Sequence, residues 1–179
     1  MPEDDDTSPS VTLIQSFANT LDVDDGTDSI TTRSELTRWL YENGLLARRT
    51  PSTDRELDLA RRLRTGIRDA LAAHHGSGAV ESAVLSAATA ELPLRMECCG
   101  DTPSLEPVDT GVRGALAWVM VAVNQAVIDD DWKRLKVCPD NTCEWAFYDV
   151  TKNRSKSWCG EGCGNRAKTR RYRQRQKAG

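Results

Sequence analysis

Four cysteines close to the C-terminus carry the most legible chemistry in this chain: Cys138 and Cys143 spaced C-x4-C, then, fifteen residues on, Cys159 and Cys163 spaced C-x3-C. Thiolates are soft ligands. Two short Cys loops joined by a hairpin-length spacer can deliver four of them to a tetrahedral zinc ion at about 2.3 Å. Protein then fills every coordination position, so no place remains for an activated water and the site is structural. Two disulfides, or four unrelated buried thiols, are the competing readings. The first thirty residues hold an acidic start, MPEDDD, and no apolar export core, so a soluble chain in a reducing, cytoplasmic compartment is expected. No set of nucleophile, base and orienting group emerges, and an enzyme is not expected.

Directly after the last cysteine comes GNRAKTRRYRQRQK, a stretch expected to be helical from about Gly164 to Lys177. Its candidate nucleic-acid contacts are Arg166, Lys168, Arg170, Arg171, Arg173 and Arg175. The net charge of -3 hides a strong polarity: residues 133–179 hold 13 Lys and Arg against 4 Asp and Glu, while residues 1–132 hold 11 against 23. A basic segment on an acidic protein seeks anions, and duplex DNA is the expected partner. Five phosphate contacts would give a slope of about -4.5 in log K against log salt. The acidic stretches MPEDDD and LDVDDGTDS could compete with phosphate for that segment. A solvated tail, an RNA-binding module and a protein-interaction adaptor are the other readings. Asn165 could pair with adenine, although packing the turn or capping the helix is the simpler role.

The elements that must position these groups are mostly helices. Ile14, Phe17, Ala18 and Leu21 recur at helical spacing before the acidic loop LDVDDGTDS. Thr32 with Glu35, and Thr53 with Glu56, form capping-box patterns that open two further helices, the first stopping at Gly44. HHGSG at 74–78 predicts a turn, with His74 and His75 capping the preceding helix, and Val80 to Ala87 a short helix. Leu92 to Cys98 alternates like a strand and could pair with 104–108 across GDTP; Pro93 and Pro107 confine both to edges. On such a strand Cys98 and Cys99 point to opposite faces and would not share an ion. The apolar run Gly114 to Ile128 has fifteen residues, short of the roughly twenty needed to cross a bilayer, and predicts a buried helix. In the C-terminal module CPDNTC predicts a knuckle. Trp145 and Phe147 would lie on one strand face, TKNRSKS would turn the chain, and Trp158 would return to complete a hairpin. With Tyr148 these aromatics form a miniature core. Knuckle, hairpin, and a helix carrying the last ligands make a treble clef.

These residues resemble the CGNR zinc fingers. The likeness runs from Val137 to about Arg175 through C-x4-C, W-x-FYD, NRS-x-x-WC and the signature Cys163, Gly164, Asn165, Arg166, with Lys156 where an Arg is common. The N-terminal part is similar to the ABATE domain usually joined to that finger, through FANTLD at Phe17 to Asp22, WLYENGLL, and LEP before an apolar helix. The resemblance implies a bacterial transcription regulator whose N-terminal domain senses or interacts and whose finger binds DNA. The expected fold is therefore α+β: an acidic disordered tail over 1–10, a mainly helical domain with a short antiparallel element over 11–132, and a zinc finger over 133–179. A small-molecule effector of the N-terminal domain is a further candidate partner. No membrane is expected, and the sequence does not specify the oligomeric state.

Overall fold

A computed structural model describes residues 7–75, 82–98 and 102–178. Among them are six α-helices and three two-stranded antiparallel sheets. Helix α1, Pro9–Ala18, opens with Ser8 as its cap and Pro9 in its first turn, so the first turn of structure begins within the segment expected to be a tail. MPEDDD itself lies outside the described residues. The expected acidic loop contains a small hairpin, β1 Leu21–Asp22 with β2 Thr27–Asp28, turned at Gly26 with φ of 65°.

Both expected capping boxes form. In α2, Arg33–Glu42, the Glu35 amide donates to Thr32 Oγ1 at 3.2 Å and the Thr32 amide to Glu35 Oε2 at 2.8 Å. In α3, Asp54–Ala72, the same exchange joins Glu56 and Thr53 at 3.2 and 2.7 Å. Helix α3 runs into a single 3-10 turn, Ala73–His75. The rest of the HHGSG turn, and Val80, lie outside the described residues. Helix α4, Ala83–Ala90, lies against α3 so closely that a Cβ on Gly66 would sit 2.6 Å from the Leu85 backbone. Strands β3, Leu94–Glu97, and β4, Ser104–Pro107, pair in the expected way, with Leu94 opposite Pro107. Cys98 is exposed just past β3, and Cys99 lies outside the described residues.

Helix α5 spans Gly111–Ile128, three residues longer at its start than its apolar run suggests, because the charged Arg113 sits at its rim, paired with Asp109 at 2.8 Å. It is long and apolar enough by composition to cross a membrane, yet half of it is buried inside the fold, which makes it the central core helix. Around it pack Val11, Ile14 and Phe17 of α1, Leu36 and Leu40 of α2, and Leu63, Ile67 and Leu71 of α3.

The C-terminal module is built differently from its expected hairpin. Strand β6, Ala146–Tyr148, pairs backwards with β5, Leu135–Val137, across the Cys knuckle, and the Trp158 segment is irregular. The physical reason is the knuckle itself, which closes β5 on β6 with Cys138 N donating to Trp145 O at 2.9 Å. Leu135, Val137 and Ala146 belong to the main core, so the hairpin is continuous with the helical domain. Trp145, Phe147 and Trp158 gather around the cysteines, whereas Tyr148, one residue further along the pleat, turns to the main core and donates to Asp131. Helix α6, Glu161–Ala178, ends the described chain and starts earlier than expected, with Cys163 in its first turn.

Candidate metal centre and basic helix

Cys138 leaves β5 into Pro139–Asp140, and the turn closes with Cys143 N and Glu144 N donating to Asp140 O at 2.8 and 3.0 Å. Glu144 takes the left-handed conformation, φ of 50°, that redirects the chain into β6. The Asp140 side chain is 1% exposed, and its Oδ1 accepts from Thr142 N and Oγ1 at 3.2 and 2.8 Å. That carboxylate then receives two arginines from α6: Arg166 Nε at 2.8 Å and Arg170 Nη2 at 3.0 Å. Arg166 holds Asp140 far below the usual carboxylate range. A single buried aspartate thus ties the first knuckle to the helix that bears the second.

The four sulfurs lie within 4.8 Å of one another. Cys143 and Cys159 are 3.5 Å apart, and Cys159 and Cys163 3.6 Å. A tetrahedron with arms of about 2.3 Å has edges of roughly 3.8 Å, so the donor set fits one zinc ion. Burial pushes the Cys163 thiol up to about 11 and Cys159 higher still. Cys138 is drawn down despite its burial, by the backbone N–H groups of Cys159 and Asp140. Clustered buried thiols of this kind ionise together only when a cation supplies the opposing charge. Arg166 Nη2 also donates to Cys163 Sγ at 3.0 Å, a contact that favours the thiolate and fixes α6 beside it.

All six candidate nucleic-acid residues lie on α6, but they divide. Arg166 and Arg170, four residues apart, turn towards Asp140 and remain 41% and 48% exposed. Lys168, Arg171, Arg173 and Arg175 are exposed and carry no acidic partner among the described residues. Lys168 and Arg171 line a groove with Lys156, Trp158 and Asn165. Asn165 lies beyond the first turn of α6, its side chain exposed and without a hydrogen bond among the described residues, so it does not cap the helix.

Two sets of residues were not foreseen as functional. Lys136, 4% exposed, donates to Asp149 Oδ2 at 2.6 Å, and Asp149 is fully buried. The same ammonium reaches Arg154 O and Lys156 O at 2.7 and 3.0 Å, so it organises the irregular segment that leads to Cys159. The available signal was a lysine flanked by Leu135 and Val137 on a three-residue strand. The second set clasps the hairpin to the helical domain. His74 Nδ1 lies 2.7 Å from Leu135 O and His75 Nε2 2.6 Å from Val137 O, so each ring nitrogen donates to a β5 carbonyl. Asn19 pairs with both backbone groups of Ala146 at 2.8 and 2.9 Å, and Arg68 donates to Glu144 O at 2.9 Å. The histidines do not simply cap α3; they join it to the finger.

Burial holds His74 below the ordinary imidazole range, outweighing its bond to Leu135 O, and Lys133 pushes the same way. The unfolded chain therefore takes up this proton first as pH falls. Stability that His74 contributes is full above its ordinary pKa of about 6.5 and is lost as pH drops from there towards the folded value. Urea midpoints at pH 7 and pH 5 are expected to fall more for the natural chain than for His74→Gln. Parallel declines would exclude this linkage, and acid effects at the cysteines are common to both proteins.

A closed set of four cysteines, held by a knuckle and the first turn of a helix and fused to a helical domain, defines a protein of the zinc-finger class. The comparisons agree with that class. Residues 134–176 match the CGNR zinc finger, and residues 12–129 match the ABATE domain, described as "Putative stress-induced transcription regulator". The chain belongs to the ABATE family and carries a CGNR zinc finger. No curated protein matches it.

Proposed function

We propose that this chain is a DNA-binding transcription regulator, acting in the bacterial cytoplasm, in which Cys138, Cys143, Cys159 and Cys163 hold a structural zinc ion that fixes the start of α6. The observation that carries the reading is the basic face of α6, which has no acidic partner among the described residues, on an otherwise acidic protein. Lys168, Arg171 and Arg175 follow one another at i, i+3 and i+7 and so share a face, with Lys156 lining the same groove as Lys168 and Arg171. Arg173 adds charge further along. Eighteen residues make a rod of roughly 27 Å, slim enough for the major groove. Arg166 and Arg170 play a positioning role through Asp140. The closed four-thiolate set suits this architecture, because a zinc ion so held has no open position for catalysis.

Duplex binding measured against salt tests the reading. Lys168→Ala with Arg171→Ala is expected to weaken binding and to flatten the slope of log K against log salt by about 1.8, roughly 0.9 per lost phosphate contact. An unchanged slope would remove this face from the interface. Preferential competition by single-stranded RNA would favour the RNA-binding reading instead.

A further inference from the structure

All eleven basic residues of 1–132 are arginines, and their surroundings divide them sharply. Seven are engaged. Arg64 forks onto Asp28 at 2.7 and 2.8 Å, and Arg68 reaches Glu144. Arg62 and Arg55 pair with Glu91, Arg95 with Glu97 and Glu106, and Arg113 with Asp109. Arg61 donates to the Ile30 and Thr31 carbonyls. The other four, Arg33, Arg38, Arg48 and Arg49, lie on α2 and the loop that follows it. Arg38 and Arg48 have no acidic partner among the described residues. Arg49 stacks on the Tyr41 ring at 5.3 Å, and Arg33 meets only the exposed Asp54, at 3.4 Å.

Three of these four line one cleft of about 600 Å3, together with Ser34, Thr37 and Ser52. Its floor is rigid. Thr37 Oγ1 donates to Thr50 O at 3.1 Å and accepts from Ser52 N at 3.1 Å, while Ser52 Oγ donates to Arg33 O at 2.7 Å. These bonds fasten the loop carrying Arg49 to the helix carrying Arg33 and Arg38, so the backbone positions from which the three arginines line one space are fixed before any ligand arrives. Glu35 also lines the cleft, but its carboxylate is committed to Thr31 and Thr32 in the capping box, and even with the exposed Asp54 beside Arg33 counted, three positive charges stand against two negative ones. Planar guanidinium forks match phosphate oxygens two at a time. The volume exceeds what a free phosphate fills and falls in the range of small-molecule sites.

We propose that the cleft formed by Arg33, Arg38 and Arg49 binds a small molecule carrying two or more linked phosphates. The site lies wholly on α2 and its following loop, and no residue of the zinc finger lines it. A concave cleft of this size, with a hydrogen-bonded floor, suits a compact oligophosphate better than the extended backbone of a duplex. The proposal is independent of what α6 contacts.

Titration calorimetry of the zinc-loaded full chain with pyrophosphate and with tripolyphosphate tests it, using sulfate at matched ionic strength as the generic anion. Saturable one-to-one binding of at least one oligophosphate is expected, with sulfate at least tenfold weaker. Arg38→Ala with Arg49→Ala is expected to weaken binding at least tenfold while leaving the thermal unfolding midpoint unchanged, since both side chains are exposed. Lys168→Ala with Arg171→Ala is expected to leave oligophosphate binding intact. Absence of saturable binding, equal affinity for sulfate, or loss of binding in the α6 variant but not in the cleft variant would each overturn the proposal. Equally, a cleft variant that flattens the salt dependence of duplex binding while the natural chain ignores both oligophosphates would reassign these arginines to the DNA backbone.

Discussion

The purified chain is expected to carry one zinc ion, and stripping it should release α6 while leaving the β5–β6 hairpin in place. This division follows from where each part buries its side chains. Leu135, Val137 and Ala146 lie in the main core, and the hairpin is further held by His74, His75 and Asn19. Helix α6 has no comparable attachment among the described residues. Its anchors are Cys163 and the two arginines on Asp140, and most of its described length is exposed. A polar helix of 18 residues is marginal in water without such anchors. Structural zinc in finger peptides contributes apparent binding free energies of about 10–16 kcal/mol near neutral pH, and losing it removes what orients this helix. Elemental analysis should find the ion in the natural chain and not in the double variant Cys159→Ser, Cys163→Ser. Chelation should cost at most the helical signal of α6, 18 of the 83 described α-helical residues. Hydrogen exchange should accelerate across α6 and remain slow at β5 and β6. Stoichiometric zinc in the double variant would refute the ligand set, and an equal loss of protection in the hairpin would refute its independence.

What was legible beforehand was local. Capping boxes at Thr32/Glu35 and Thr53/Glu56 exchange hydrogen bonds over three residues, so the sequence displays both partners together. The cysteine framework is equally compact, and the sulfurs do converge. Contacts that close over long separations left no comparable trace. His74 and Leu135 are 61 residues apart, and the carbonyl that accepts the proton is the same for every residue type. The paired strand was misplaced because β5 has three residues, one of them a lysine, and its identity depends on the knuckle folding back on it. The basic helix shows the same limit. Arg166 and Arg170 carry the same charge as Lys168 and Arg171, and only Asp140, 26 and 30 residues earlier, separates the arginines that hold the helix from those that face solvent.

Replacing Lys136 by Met is expected to destabilise the finger by roughly 3–5 kcal/mol, the cost of leaving a buried charge without its partner. The substitution preserves volume and strands Asp149, whose remaining donors are Thr151 N, Thr151 Oγ1 and Lys156 N at 2.9, 2.6 and 2.9 Å. It also leaves the Arg154 and Lys156 carbonyls without the ammonium that gathers them. Burial alone would raise the Asp149 carboxyl; Lys136 and Thr151 overcome it and pull the group down to about 2. Its folded pKa is thus depressed, so the pair's contribution is complete above the ordinary aspartate value of about 3.9 and is lost as pH falls through about 2. Adding Asp149→Asn to the Met variant removes the stranded charge and should recover part of the loss, whereas two independent sites would show additive costs. Urea unfolding of the natural chain, both single variants and the double variant at pH 7 measures the coupling. A cost under 1 kcal/mol for Lys136→Met, or strict additivity, would show that the hydroxyl and backbone donors around Asp149 suffice. A large coupling would identify this ion pair as the support that carries the chain from β6 to the second pair of cysteines. Zinc retention should then weaken in the Met variant although no ligand has been touched.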